Sequence, residues 1–250
     1  RALMALSLAF HIVFAACGIG MPLLMVLAEG AWLRTRQPVY LELSQRWAKG
    51  TAILFAVGAV SGTVLSFELG LLWPGFMAQA GAIIGMPFSL EGFAFFAEAI
   101  FIGIYFYGRK RLPPLLHWLS GVVVAGSGVL SGIFVVTANA WMNAPTGFRF
   151  AHGRFTDLDP IAAMLNPASF HEVLHMTLAA FVATGFAVAA VHAFLLLRHP
   201  ASRFHRRALG LALAVACVSI PLQIASGDLS ARAVGRLQPV KLAAMEAHYR

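Results

Sequence analysis

The sequence predicts an all-α fold, a polytopic transmembrane bundle of about six helices. Hydrophobic residues make up 60% of the chain and charged residues only 11%, whereas soluble domains average about 25% charged residues. The mean hydropathy is +0.79. The apolar residues also fall into runs that are long enough to cross a membrane. These three observations place the chain in a lipid bilayer.

Six apolar segments account for the bundle. A helix needs about 20 mainly apolar residues to cross the hydrocarbon core of a bilayer. We expect spans near Leu3 to Leu27, Thr51 to Trp73, Pro87 to Tyr107, Leu115 to Val136, Glu172 to Leu197 and Ala208 to Ala225. Because the first segment starts at Arg1, without an initiator Met or a signal-peptide cleavage site, we also expect a few residues to precede it.

The lysines and arginines predict the orientation of the bundle. Eleven of the 18 fall in or beside three connections between spans, which should therefore be cytoplasmic: Arg34, Arg36, Arg46, Lys49, Arg109, Lys110, Arg111, Arg198, Arg203, Arg206 and Arg207. The other seven place both termini and the loop after Trp141 on the outer side: Arg1, Arg149, Arg154, Arg232, Arg236, Lys241 and Arg250. The net charge of +8 thus reflects topology, and short basic clusters at helix ends argue against nucleic-acid binding.

Cysteine usage and glycine patterns exclude several kinds of chemistry. Cys17 and Cys217 lie inside predicted spans, and no Cys-x-x-Cys-His motif is present. Neither a disulfide framework nor covalent haem attachment is therefore predicted. The sequence also lacks a glycine-rich phosphate loop next to a strand–helix unit, so nucleotide chemistry has no support.

Two glutamates inside the third span are the first functional signal. An ionised carboxylate at this depth costs several kcal/mol unless something compensates it. Glu91 and Glu98 are seven residues apart, which is two helical turns, so both carboxyls share one helix face. A carboxyl in a low dielectric has a raised proton affinity and exchanges protons near neutral pH. The pair therefore predicts a proton path or a cofactor site, with paired core carboxyls as the alternative.

Histidines inside the spans are the second signal. His11, His175 and His192 lie in apolar helices, and His11 and His175 share the outer half of the bundle with Glu91. A neutral imidazole is a good axial ligand for haem iron, and a helical bundle offers the apolar slot that a porphyrin needs. The alternative is a hydrogen-bonded core histidine. We expect His117, by contrast, to be an ordinary polar residue at a cytoplasmic helix end.

A competing motif lies at the start of the fifth span. His171, Glu172 and His175 match His-Glu-x-x-His, which puts two zinc ligands and a general base on one helix face. A catalytic zinc site needs a third ligand. The downstream acids, Asp228 and Glu246, follow the next span. An intramembrane zinc protease is therefore an alternative that lacks a third ligand next to the motif.

Six ordered segments, the last of them in two parts, resemble one family, the first subunit of cytochrome bd-type quinol oxidases. The segments include the first-helix haem-ligand region, the two-glutamate helix and the start of an external quinol-oxidising loop. They are Phe10 to Phe14, Arg46 to Lys49, Leu90 to Glu98, Ala138 to Pro145, Val173 to His175, Gly227 to Asp228 and Lys241 to Glu246.

The resemblance implies a terminal oxidase of the bacterial cytoplasmic (inner) membrane. Quinol would be oxidised on the outer side, and O2 would be reduced to water with protons taken from the cytoplasm. The implied cofactors are a low-spin haem b, a high-spin haem b, and haem d or a further haem b. The implied partners are membrane quinol, O2, a second membrane subunit (subunit II) and small accessory subunits.

The resemblance also implies roles for the residues in the spans. His11 would bind the iron of a high-spin haem, and His175 the iron of the low-spin haem. Glu91 would lie beside the high-spin pair, and Glu98 would pass protons towards it. Further cofactor-binding candidates follow on the fourth helix: Ser131, Asn139 and Trp141.

Three charged residues complete the implied assignment. Lys49 would admit protons from the cytoplasm. Lys241 and Glu246 would bind the quinol head group and accept its proton. The chain would divide into a haem-binding bundle, residues 1–227, and the start of the quinol-binding loop, residues 228–250. A haem protein that carries electrons without reducing O2 is the second hypothesis.

Overall fold

The computed structural model describes residues 2–248, so Arg1 and Arg250, which entered the topology prediction, lie outside the described residues. Six long helices dominate the fold: α1 Ala2–Thr35, α2 Pro38–Leu72, α3 Pro74–Gly108, α4 Pro114–Asn143, α6 Ser169–Arg198 and α7 Arg203–Leu237. The smaller elements are β1 Arg149–Ala151, β2 Arg154–Thr156, α5 Pro160–Met164 and α8 Pro239–Met245. All six long helices are long and apolar enough to span a membrane, which confirms the predicted all-α bundle.

Proline marks where many of the helices begin. Pro38, Pro74, Pro114, Pro160 and Pro239 each occupy the first turn of a helix. At this position the missing N–H costs nothing and the fixed φ suits the helix. The prolines therefore separate consecutive helices with very short connections, which makes neighbouring helices antiparallel.

The helices are longer than the apolar segments that predicted them. The second helix starts at Pro38, although its predicted span begins at Thr51. The seventh continues through Asp228 to Leu237. The predicted apolar span ends where polar residues begin. The helix continues beyond it because its backbone hydrogen bonds do not depend on side-chain polarity. The predicted division at residue 227 therefore falls within a helix, and the two-part organisation stays a prediction.

The helices pack as three hairpins, α1 with α2, α3 with α4, and α6 with α7, and α1 also packs against α4 and α6. One buried cluster lies where α1, α2, α3 and α7 meet and includes Leu24, Leu43, Trp47 and Tyr105. A second cluster joins α3, α4 and α5 at the opposite end. Many large apolar side chains remain exposed on the outside of the bundle, as lipid contact requires.

The three basic connections lie at one end of the bundle. Arg207, on α7, lies 5.8 Å from the ring centroid of Tyr40, on α2. Arg46, on α2, lies 4.6 Å from the ring centroid of Phe204, on α7. These contacts bring the α1–α2 and α6–α7 connections together, and Tyr105, near the α3–α4 connection, belongs to the same cluster. We call this the basic end; its cytoplasmic placement stays a prediction.

Candidate functional site

His11 projects from α1 against a serine–glycine pair on α2. Its Nδ1 lies 2.9 Å from the Ser61 hydroxyl oxygen. That hydroxyl already donates its hydrogen to backbone carbonyls of α2, the nearer at 2.8 Å. The oxygen can therefore only accept from His11, which places the ring proton on Nδ1 and leaves the Nε2 lone pair available. This is the arrangement of a metal-binding histidine held by a second residue.

Gly62, the residue after Ser61, gives the His11 ring its space. A Cβ at this position would lie 3.2 Å from Cε1 of the imidazole, closer than ordinary van der Waals contact. The ring therefore rests against the bare α2 backbone. The donor nitrogen and the glycine cradle both fit an axial haem ligand.

His175, on α6, has a similar pair on α7. Its Nδ1 lies 3.0 Å from the Ser226 hydroxyl oxygen, and that hydroxyl donates to the Gln223 carbonyl at 3.0 Å. A Cβ on Gly227 would lie 3.5 Å from Cε1 of His175. The Gln223 amide nitrogen lies 3.0 Å from Nε2, the ring nitrogen that would hold a haem iron. Both histidines were predicted from the sequence. The Ser–Gly pairs were not, although their repeat on α2 and α7 is a signal.

Both glutamates of α3 face α4, as their spacing predicts. The Ser131 hydroxyl donates to Oε1 of Glu91 at 3.3 Å. Glu98 is buried, and a Cβ on Gly128 would lie 3.4 Å from its Oε1, so the glycine makes room for the carboxyl. Two proton-holding groups therefore lie along the α3–α4 seam, two turns apart.

Lys49 and Trp141 lie at opposite ends of the bundle. Lys49 is exposed on α2, two residues after the buried Trp47. Trp141 is buried; its indole donates to the Thr146 carbonyl at 2.9 Å, and its ring contacts Phe148 and Phe155 edge-on. These contacts give Trp141 a packing function at the end of α4.

Asn143 connects three helices at the end opposite the basic end. Its amide donates to Glu172 Oε1 at 2.9 Å and to Asn139 Oδ1 at 3.3 Å. The Lys241 ammonium donates to Asn143 Oδ1 at 3.4 Å. Glu246 takes no part in these contacts: it is exposed and lies 3.8 Å from the His248 ring. Asn143 therefore links Lys241 to Glu172, a residue that the sequence suggested only as part of the zinc motif.

The zinc motif does not form a metal site. Within residues 2–248, no three His, Cys, Asp or Glu side chains are grouped to hold a metal ion. Glu172 accepts a hydrogen bond from Asn143, and Asp228 Oδ2 forms an ion pair with Arg232 Nε at 2.9 Å. Both ring nitrogens of His171 are buried without a partner among the described residues, which is rare for buried polar atoms. A hydrogen-bonding group from outside the chain, such as a haem carboxylate, fits there.

A buried polar cluster at the basic end was not expected from the sequence. Glu29 Oε1 lies 2.6 Å from His117 Nδ1. The Tyr105 hydroxyl donates to Glu29 Oε2 at 2.6 Å. His117 Nε2 lies 2.8 Å from the Tyr105 carbonyl. The expectation that His117 is an ordinary helix-end residue is wrong, because its side chain is buried. A glutamate just past the predicted end of the first span was the available signal.

A second missed carboxyl lies on α2. The Ser7 hydroxyl donates to Glu68 Oε1 at 2.8 Å. The other oxygen, Oε2, is buried with no partner within residues 2–248.

His192, on α6, contacts a second histidine: its Nδ1 lies 2.9 Å from Nδ1 of His205. That contact fits the alternative of a hydrogen-bonded core histidine.

Comparison with known proteins gives one consistent result. The family described as cytochrome bd terminal oxidase subunit I matches residues 1–250. A putative cytochrome bd menaquinol oxidase subunit I from Bacillus subtilis (strain 168) is 37% identical over 250 residues, 98% of this chain and 56% of that protein. The cytochrome bd-II ubiquinol oxidase subunit 1 of Escherichia coli (strain K12) is 30% identical over 254 residues, 98% of this chain and 48% of that protein.

A solved structure gives the same result for the fold. The bd oxidase from Geobacillus thermodenitrificans matches with a TM-score of 0.96 and 38% sequence identity, over 100% of this chain and 58% of that chain. The chain spans about half the length of the relatives it matches.

Proposed function

The chain belongs to the cytochrome bd terminal oxidase subunit I family, and from this premise we propose that it forms part of the catalytic subunit of a quinol:dioxygen oxidoreductase. It is a multi-pass membrane protein of a family that implies haem cofactors. The observation that carries the proposal is the pair of histidines on α1 and α6, each held through Nδ1 by a serine followed by a glycine.

His11 would hold a high-spin haem and His175 the low-spin haem b. When bound, haem supplies one-electron transfer and, at the high-spin haems, a place for O2 to be reduced. The proposed set is a low-spin haem b, a high-spin haem b, and haem d or a further haem b. Ser61 and Ser226 fix the imidazole tautomer, and a residue of this kind supports ligand orientation and basicity.

The α3–α4 seam would handle protons. Glu91, hydrogen-bonded to Ser131, and the buried Glu98 hold protons on one helix face, and buried carboxyls exchange them near neutral pH. Lys49 would admit protons from the cytoplasmic side, which is the proposed side of the basic end. Asn139, which accepts a hydrogen bond from Asn143, is a cofactor-binding candidate near the high-spin haems.

Quinol would bind at the opposite, outer end. Lys241 and Glu246 are the head-group candidates, and both lie in the region after α7. The proposed partners are membrane quinol, O2, subunit II and small accessory subunits. Neither the zinc protease nor an electron carrier without oxidase activity is favoured, since the relatives are named as quinol oxidase subunits.

The test uses the protein purified from its native membranes. A dithionite-reduced minus oxidised spectrum should show haem b, with a far-red chlorin band if haem d is present. Quinol-driven O2 uptake should be inhibited by substitution of His11 with Ala, while an alanine at the exposed His199, at the basic end, should leave it unchanged. Haem bands without quinol-driven uptake would instead indicate an electron carrier, and a colourless protein would overturn the proposal.

A further inference from the structure

Glu172 lies in the first turn of α6, three residues before His175. Three residues correspond to a rise of about 4.5 Å along a helix. The carboxylate is therefore almost one turn closer to the outer end than the histidine proposed to hold the low-spin haem. A helix N-terminus is a position that favours an acidic side chain.

A single amide group joins Glu172 to Lys241. The Asn143 Nδ2 donates to Oε1 of Glu172 at 2.9 Å, and Oδ1 of the same amide accepts from the Lys241 ammonium at 3.4 Å. The Gln238 amide donates to the Asn143 backbone carbonyl at 2.7 Å, which fixes the end of α4 against the α7–α8 junction. A carboxylate and an ammonium are thus held on the two sides of one side chain, from α6 and α8.

Glu246, the acid to which the family resemblance gives a quinol-binding role, points away from Lys241. It follows the end of α8, is 58% exposed and lies 3.8 Å from the His248 ring. Lys241 and Glu246 are separated by five residues, so α8 does not bring them onto one face. The carboxylate that the Asn143 amide links to Lys241 is that of Glu172.

We propose that Glu172 is a catalytic residue for quinol oxidation. Its carboxylate accepts a hydrogen bond, and then the proton, from one hydroxyl group of a hydroquinone. Lys241 holds the oxygen of that hydroxyl group. The inference rests on the proposed oxidase function. A residue on α6, the helix that carries the proposed haem ligand His175, would thus contact the substrate.

The step balances as a two-electron oxidation. Both hydroquinone O–H bonds break and the ring becomes a quinone. The two electrons leave one at a time, and O2, the co-substrate of the proposed oxidase, is their final acceptor. A haem held by His175 would supply this one-electron transfer. One proton passes to the Glu172 carboxylate and from there to outer water, and the second leaves directly to outer water. The Lys241 ammonium stabilises the negative charge that develops on the oxygen.

Glu172→Gln is the informative variant. Its amide oxygen can still accept the Asn143 hydrogen bond, so a merely structural connection between α4 and α6 survives, whereas the charge and the proton acceptor are lost. Glu172→Asp keeps the carboxylate and should recover part of the activity. Asp157→Asn is the matched control, because Asp157 lies at the same end, pairs with Arg149 at 3.5 Å and is highly exposed.

Four measurements on the purified native complex decide the matter. The reduced haem spectrum reports on integrity. Fluorescence titration with a hydroxyquinoline N-oxide, a redox-inert quinol analogue, reports on binding. O2 uptake is then measured with quinol across a pH series, and with tetramethyl-p-phenylenediamine, an electron donor with no hydroxyl proton to transfer.

The expected result for Glu172→Gln is an unchanged spectrum, analogue binding weakened about tenfold, and quinol-driven uptake reduced about a hundredfold with an altered pH profile. Uptake driven by the diamine should persist. Quinol-driven uptake within twofold of wild type, or loss of the haem spectrum in both the Gln and Asp variants, would overturn the inference. Absence of quinol-driven uptake in the wild-type protein would instead defeat the proposed function.

Discussion

His117 Nδ1 lies 2.6 Å from Glu29 Oε1, and both side chains are buried where α1, α3 and α4 meet. The two residues are 88 positions apart in the chain. The Tyr105 hydroxyl donates to the second Glu29 oxygen, so each oxygen of the buried carboxylate has a partner. This contact connects three helices at the basic end.

Replacing His117 with Ala should lower the free energy of unfolding by about 3–5 kcal/mol, because the Glu29 carboxylate would stay buried with one partner lost. Thermal unfolding in detergent measures the effect. Alanine at His199, an exposed histidine at the same end, should change the midpoint little. Equal effects of the two substitutions would show that the buried pair contributes nothing to stability.

A valine at Gly62 should impair haem binding at His11. A Cβ at this position would already lie 3.2 Å from the imidazole, so a branched side chain must displace the ring. The haem content per protein, measured by the pyridine haemochrome method, should fall. Gly58→Val, one turn earlier with open space around the Cβ, is the control, and a similar loss there would make the effect a general one on α2.

Replacing Ser61 with Ala removes the acceptor that holds the His11 Nδ1–H. Loss of such a residue typically costs about 10- to 100-fold in metal affinity or activity. We expect faster haem loss to a scavenging apoprotein, together with an altered haem spectrum. Ser66→Ala is the matched control, since the Ser66 hydroxyl donates to the Gly62 carbonyl of its own helix. An unchanged rate in the Ser61 variant would contradict the prediction.

Glu98→Gln should separate stability from activity. The carboxyl is buried beside Gly128, and removing an ionisable group from an apolar site should leave the free energy of unfolding unchanged or raise it by about 1 kcal/mol. O2 reduction should fall about a hundredfold or more if protons pass through this group. Parallel unfolding and O2-uptake measurements test both halves.

The control for this comparison is Glu42→Gln. Glu42 forms a surface ion pair with Arg46 at 2.6 Å, and such pairs contribute about 0–1 kcal/mol. It should leave both stability and uptake near wild type. Full activity in the Glu98 variant would remove Glu98 from the proton path.

Much of the architecture was predictable because hydropathy and proline act locally. An apolar run of fixed length becomes a helix wherever it meets a bilayer, so Thr51 to Trp73 was recognised as a span. The start of α2 at Pro38 was missed because polar residues can continue a helix beyond the apolar window. The α5 helix and the β1–β2 hairpin were missed because short elements carry little periodic signal.

The sequence by itself determined the six spans, the helix face shared by Glu91 and Glu98, and the two histidines proposed to bind haem. Only the tertiary structure decided their partners: Ser61 for His11, 50 residues away, Ser226 for His175, 51 residues away, and Asn143 between Glu172 and Lys241. The physical reason is that residue type and spacing fix which face of a helix carries a group. What that face meets depends on how the helices pack, which local patterns do not encode.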